Sequence, residues 1–400
     1  MTVSGDVNSS GGATFTGKAV SGTGLQITGN LKAADLVTIT GDSKSGAGVE
    51  VKGKTDLANA AVTGHTETGT GVKISGDLTN TGSSSLTGSA SAGGAGVDLA
   101  GNVSGGKVKG ISATGSGVLV SGGNTKIDNV TVEGDSTSGQ GIKVTGKLEN
   151  VGSSSLTGTA LDGIGLELLS EVTGGTLTGQ SDKGVGVQVS GDKVTLSKTQ
   201  VTGKTNSGSG VLINGNLNAQ DGSVVSGDAT GSGNGINLAG GKVTGGQLNG
   251  HSQNGNGVTV SGNSQLDGTV LNATTTNGSA FNMPDNVTLG TAGGSKVTSS
   301  VSPGGSGKTQ SGGGSPEGKL MQAAATQQAY SLQSRSLTLP PLQLGQHFLT
   351  TNTPLPLTIN LKDDTGSDKS KKEKDKKKAT RGEGSGGPLP IVITSGENNR

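Results

Sequence analysis

One stretch of the chain has the spacing of a phosphate-binding loop: Gly48-Val-Glu-Val-Lys-Gly53-Lys54-Thr55 fits G-x-x-x-x-G-K-T. That motif works when a flexible loop between strand and helix turns its backbone N–H groups onto phosphate. Here the intervening residues alternate, with Val49 and Val51 on one face, which predicts a strand rather than a cradle. Gly93-Gly-Ala-Gly-Val-Asp98 has the form of one calcium-binding nonapeptide, but that site needs tandem copies at about nine-residue spacing, and none follows. His65, His251 and His347 stand far apart, with no cysteine or second histidine nearby to complete a metal site. No G-x-S-x-G nucleophile elbow occurs. The acids Asp56, Glu67, Asp98, Asp128, Glu133, Asp162 and Glu167 do not recur at one position, whereas glycoside chemistry needs two within a few Å. The sequence thus names no catalytic, cofactor or metal residues, and the reading is a protein that is not an enzyme. A carbohydrate-acting enzyme with acids gathered on one face is the alternative. Asn102, Asn129, Asn272 and Asn286 begin glycosylation triplets, which an Asn- and Thr-rich chain produces by chance.

The elements that would position such residues follow from composition and repetition. With 78 Gly, one Tyr, three Phe, no Trp and no Cys in 400 residues, the side chains that fill a broad core are missing. Such a chain is either disordered or has a thin, repeated core. A net charge of +1 gives no field that would select nucleic acid. The absence of cysteine excludes a disulfide framework and a thiolate metal site.

The pattern decides for a repeated core. Gly-x-Gly, an aliphatic residue, any residue, a second aliphatic residue, any residue and Gly recurs twelve times, as in GTGVKISG at Gly69–Gly76 and GNGVTVSG at Gly255–Gly262. The copies start at steps of 21 to 25 residues. The first aliphatic column is Leu25, Val49, Val72, Val97, Val118, Ile142, Leu166, Val187, Val211, Ile236, Val258 and Phe281. The second is Ile27, Val51, Ile74, Leu99, Val120, Val144, Leu168, Val189, Ile213, Leu238, Val260 and Met283. A mostly polar residue separates the two, which is the period of a strand with one buried face. A third column, from Phe15, Ile39 and Val62 through Leu248 and Leu271, precedes each Gly-x-Gly.

Length variation falls between the second and third columns, which reads as a tolerant loop opposite a fixed corner. The loop shortens every third copy, at Gly105-Gly106, Gly174-Gly175 and Gly245-Gly246, laying a period of about 70 residues over the shorter one. One copy is too short to fold alone, but stacked copies align each column into a continuous core. Burying one such side chain contributes roughly 1.5–3 kcal/mol before chain entropy is subtracted. The expected fold is an all-β parallel β-helix of about 12 coils of about 23 residues over 1–290. Glycines would mark corners needing positive φ or close backbone contact. Gly278–Asp285, with bulky Phe281 and Met283 and then Pro284, reads as the cap of the last coil. Beyond it, 291–318 reads as a Gly/Ser linker and 319–400 as a low-complexity tail. The tail divides into a short helix at 319–335, a Pro-rich extended stretch at 337–361 and a solvated Lys-rich run at 362–381.

The tandem GVKISG, GIKVTG and GVTVSG coils, joined by segments such as Asn80-Thr-Gly-Ser-Ser-Ser-Leu-Thr-Gly88, resemble filamentous haemagglutinin-like exoproteins of the two-partner secretion pathway. The resemblance covers about residues 1–290 and lies in repeat style. It implies a right-handed helix, export through an outer-membrane partner transporter, an extracellular or cell-surface location, and cell adhesion or aggregation through host or bacterial cell-surface receptors such as glycans. The export signal and the Asn-Pro-Asn-Gly-type secretion motif of that family are absent from this sequence, so the expectation is a C-terminal piece of a longer exoprotein or a truncated reading frame. The alternative within the family is an inert stalk that presents another domain or toxin.

Overall fold

A computed structural model describes residues 1–311 and the backbone of two further strands, Leu357–Leu361 and Leu389–Ile393. The chain forms two units, Met1–Ala329 and Tyr330–Arg400. In the second unit the two strands pair antiparallel, with Leu357 opposite Ile393. The first unit is a β-solenoid of about 12 turns, with no helix among the described residues.

Most turns contain three strands, and in three of them the second and third run on as one, as at Val185–Ser197. In one turn the three strands are Ala61–Thr66, Val72–Ile74 and Leu78–Thr81, and Ser85–Ala90 opens the next. Each strand pairs in parallel with its counterpart one coil on: Val62 with Leu86, Val72 with Val97, Leu78 with Val103. The strands that precede Gly-x-Gly build one sheet of 13 strands. Alternation turns one face of every strand inward, and the two aliphatic columns fill the tube. Val49, Val51, Val72, Ile74, Val118, Val120, Ile142, Val144, Val187, Val189, Val211, Ile213, Val258 and Val260 are each 1% exposed or less.

The third strand lies in what the sequence presents as a tolerant loop. Its inward residues, such as Leu31, Leu57, Leu78, Ile127, Leu148 and Leu217, are buried as fully as the repeat columns. Varied types and variable spacing hide it in the sequence. Its register also slides. Val103 pairs with Leu78 on one side but with Ile127 on the other, whereas Thr125 pairs with Leu148. The Gly105-Gly106 turn, with φ of +69° and +66°, cuts two residues from that coil. The next coil therefore meets it two residues later. The same displacement recurs at Gly174-Gly175, where Val172 pairs with Leu148 and with Leu196. The 70-residue period is this slip repeated.

At the Gly-x-Gly corner the second glycine serves contact and not left-handed backbone, while the first is left-handed only at Gly22 and Gly94. Gly71 lacks a positive φ, yet a Cβ there would lie 2.5 Å from the Gly96 carbonyl oxygen of the next coil and closer still to the Ser89 amide. A buried hydroxyl then fastens the corner. Thr66 Oγ1 donates to the Gly46 carbonyl at 2.8 Å and accepts from the Gly69 amide at 3.1 Å. Ser43, Ser136 and Thr205 form the same two bonds in their own coils. Every third coil has Ala90, Ala160 or Ala229 there instead.

The C-terminal boundary differs from the sequence reading. Ser279–Asn282 has neighbours on both sides, Asn256–Val260 and Lys308–Ser311, so Gly278–Asp285 is an interior coil and not the cap. Leu289–Ala292 and Lys296–Val301 also continue the stack, with Leu289 and Val297 buried. The stretch from 291 to 311, read as linker, is therefore solenoid whose glycines are turns, as at Gly293 and Gly294. Pro284 is tolerated because it follows its strand and its carbonyl accepts the Val287 amide. Residues 312–318, the expected helix at 319–335, most of the Pro-rich stretch and the Lys-rich run lie outside the described residues.

Close approach at the corner gives a direct test. Gly71→Ala should lower the urea midpoint, costing about 1–3 kcal/mol or more, because backbone must move to admit the methyl group. Gly123→Ala, where nothing lies within 4 Å of the added carbon, should leave the midpoint unchanged.

Candidate functional site

The outward face of the 13-strand sheet carries the most regular array of polar side chains among the described residues. Alternation places one residue of each strand on it in register: Thr16, Thr40, Thr63, Thr87, Lys109, Glu133, Thr157, Thr178, Thr202, Ser226, Asn249, Asn272 and Thr298. Only Lys109 and Glu133 depart from hydroxyl or amide. Parallel strands set these groups about 4.8 Å apart along the sheet. The amide end of the file is internally bonded: Asn272 Nδ2 donates to Asn249 Oδ1 at 2.8 Å, and Thr298 Oγ1 donates to Asn272 Oδ1 at 2.7 Å. The threonine stretches have their hydroxyls on a half-exposed to exposed surface. This file stands in the sequence immediately before each Gly-x-Ser/Thr/Ala triplet, but the apolar columns beside it dominate the pattern.

Of the seven acids singled out from sequence, five meet lysines and two meet a hydroxyl or an amide, and none meets another acid. Glu133 pairs with Lys107 at 2.7 Å, Asp162 with Lys183 at 3.0 Å, and Glu167 with Lys143 at 3.0 Å, each across neighbouring coils. Asp56 pairs with Lys54 at 3.1 Å and Glu67 with Lys44 at 3.9 Å. Asp98 accepts a bond from Ser121, and Asp128 from Asn129 Nδ2 at 2.8 Å. The bond and charge of Asp162 hold the Lys183 ammonium above the ordinary lysine pKa. Lys107, Lys109, Glu133 and Asp135 form two ion pairs that interrupt the threonine file.

His65 and His251 are outward residues of the same sheet, each bonded to a hydroxyl one coil on, Ser89 at 2.9 Å and Thr274 at 3.1 Å. No group of three His, Cys, Asp or Glu side chains able to hold a metal occurs among the described residues. The Gly48–Thr55 stretch passes through the strand Val49–Val51 and into the strand Thr55–Ala58, with both valines in the core. Asn102 and Asn129 accept amide bonds from Lys126 and Ser153 one coil on, at 2.9 and 3.0 Å. The groove beside them, lined by Lys126, Lys147, Glu149 and Glu171, is open and holds the Lys147–Glu171 pair at 3.0 Å. None of these arrangements aims two free catalytic groups at one point. Comparison with family models, curated proteins and solved structures gives no match to this chain.

The ion pairs differ in how much water they keep. The Glu167 side chain is 10% exposed and that of Lys143 29%, against 50% and 64% for Glu67 and Lys44. Lys143→Met leaves a buried carboxylate without its cation and should cost about 1–3 kcal/mol, whereas Lys44→Met should cost less than about 1 kcal/mol. Urea midpoints of the two variants at low and high salt check this.

Proposed function

We propose that the solenoid is the adhesive rod of a secreted bacterial surface protein and that it works without catalysis. The supporting observation is the outward file of hydroxyl and amide groups along the 13-strand sheet. A periodic file in which only Lys109 and Glu133 are charged suits another periodic hydroxyl-rich surface, namely a cell-surface glycan. Single hydroxyl contacts are weak in water, because each replaces a bond to solvent. A file of them on a rigid support adds many such contacts at high effective concentration. Pairing of five of the seven singled-out acids with lysines favours this reading over a carbohydrate-acting enzyme.

The resemblance of the repeat style to filamentous haemagglutinin-like exoproteins supports the same reading. On it, the rod is displayed outside the cell after passage through a partner transporter in the outer membrane, and its receptors lie on host or neighbouring bacterial cells.

Labelled chain should bind epithelial or bacterial cells saturably, and soluble surface glycan should compete. Replacing Thr40, Thr63, Thr178 and Thr202 together by Lys should reduce binding at least tenfold while leaving the β spectrum intact, since Lys109 already occupies this file. Saturable binding that is unchanged by the four lysines would move the contact to another face. Absence of binding by the folded chain would make the coils a stalk.

A further inference from the structure

Six of the buried side-chain polar atoms without a protein hydrogen-bond partner belong to two matching pairs: Thr55 with Asn80, and Thr125 with Asn150. The remaining one, Glu167 Oε2, is the atom that meets Lys143. Thr55 is 0% exposed, Asn80 2%, Thr125 2% and Asn150 3%. All four lie on third strands and point into the tube, flanked by buried Leu57, Leu78, Ile127 and Leu148.

The two pairs have the same geometry. Thr55 is opposite Leu78 and Asn80 is opposite Leu57, so threonine and asparagine are diagonal neighbours across adjacent coils. Thr125 is opposite Leu148 and Asn150 is opposite Ile127, which repeats the arrangement one three-coil block later. Above each asparagine comes the shortened Gly-Gly turn, which puts no side chain into the tube at that position. With strands about 4.8 Å apart and two residues spanning about 6.6 Å, the diagonal Cα separation is about 8 Å. No direct bond joins the threonine hydroxyl to the asparagine amide in either pair, and one water between them would satisfy both.

The third block supplies a comparison built into the chain. At the corresponding positions it carries Val194 and Ala219, with Val194 opposite Leu217 and Leu196 opposite Ala219. Both polar residues are exchanged for apolar ones together, and both replacements are buried.

We infer that the solenoid interior contains two built water sites, one between Thr55 and Asn80 and one between Thr125 and Asn150, and that the third block is dry. Each site offers a hydroxyl that donates or accepts, an amide oxygen that accepts and an amide N–H that donates. That is the two to four partners a buried water needs. A metal cation is the wrong guest, since Ca²⁺ takes about six to eight oxygens and Mg²⁺ about six, while each pair has two side-chain oxygens and no carboxylate.

Oxygen-17 magnetic relaxation dispersion on the full chain counts long-lived internal waters. Thr55→Val with Asn80→Ala should remove one, and adding Thr125→Val with Asn150→Ala should remove a second. The β spectrum should stay unchanged, because the variants copy residues the third block already uses. An equal count in the wild-type chain and the fourfold variant overturns the inference. A crystal structure of the wild-type chain at atomic resolution decides independently of folding of the variants. Solvent density within hydrogen-bond distance of Asn80 Nδ2 and Asn150 Nδ2 supports the sites. A direct Thr–Asn bond with no solvent between refutes them.

Discussion

Coils can stack at strand spacing only if the backbone at each inner corner turns without a side chain and still satisfies its N–H and C=O groups. The Gly-x-Gly corners meet the first condition, since at Gly71 any Cβ would sit on the backbone of the next coil. Thr66 and its counterparts meet the second by closing a bond to a carbonyl one coil back and another to an amide in their own corner. With the corner fixed, the strands leaving it have no freedom of register, and Val72 falls beside Val49 and Val97 as a consequence. The narrow aliphatic core, poor in aromatics, suffices because every side chain in it is shared between coils.

The same constraint shapes the outer surface. A sheet whose strands share one register must present each outward position as a file, so a threonine repeated in sequence becomes a row of hydroxyls in space. The adhesive reading depends on that row and on the pairing of acids with lysines, which neutralises charge within the coils. Inside the tube, the slip of the third strand at each Gly-Gly turn interrupts the apolar columns at regular intervals. The Thr–Asn pairs lie next to those interruptions, where the packing can admit something other than a methyl group.

Much of this is legible in the sequence because two of the three strands have strict spacing. The columns beginning at Leu25 and Ile27 announce themselves through the flanking glycines, and the parallel stack follows from identical direction. The third strand is hidden because its inward residues mix Leu, Thr, Asn, Val and Ala and because its register slides. The last coils are hidden because residues 291–311 lose the Gly-x-Gly signature while keeping inward Leu289 and Val297. No surface residue could be assigned a role from its type alone, since the residues that precede each Gly-x-Ser/Thr/Ala triplet become a row of neighbours only when register is known.

Distance growth along the stack tests the central claim most directly. Lys73, Gln188 and Asn237 occupy one outward column, and the chain has no native cysteine. Spin labels at Cys introduced for Lys73 and Gln188, five coils apart, should give a narrow pulsed-dipolar distance near about 24 Å; the Lys73 and Asn237 pair, seven coils apart, near about 34 Å. Broad distributions centred beyond about 60 Å for both pairs, as a flexible Gly-rich chain of this separation would give, would contradict it.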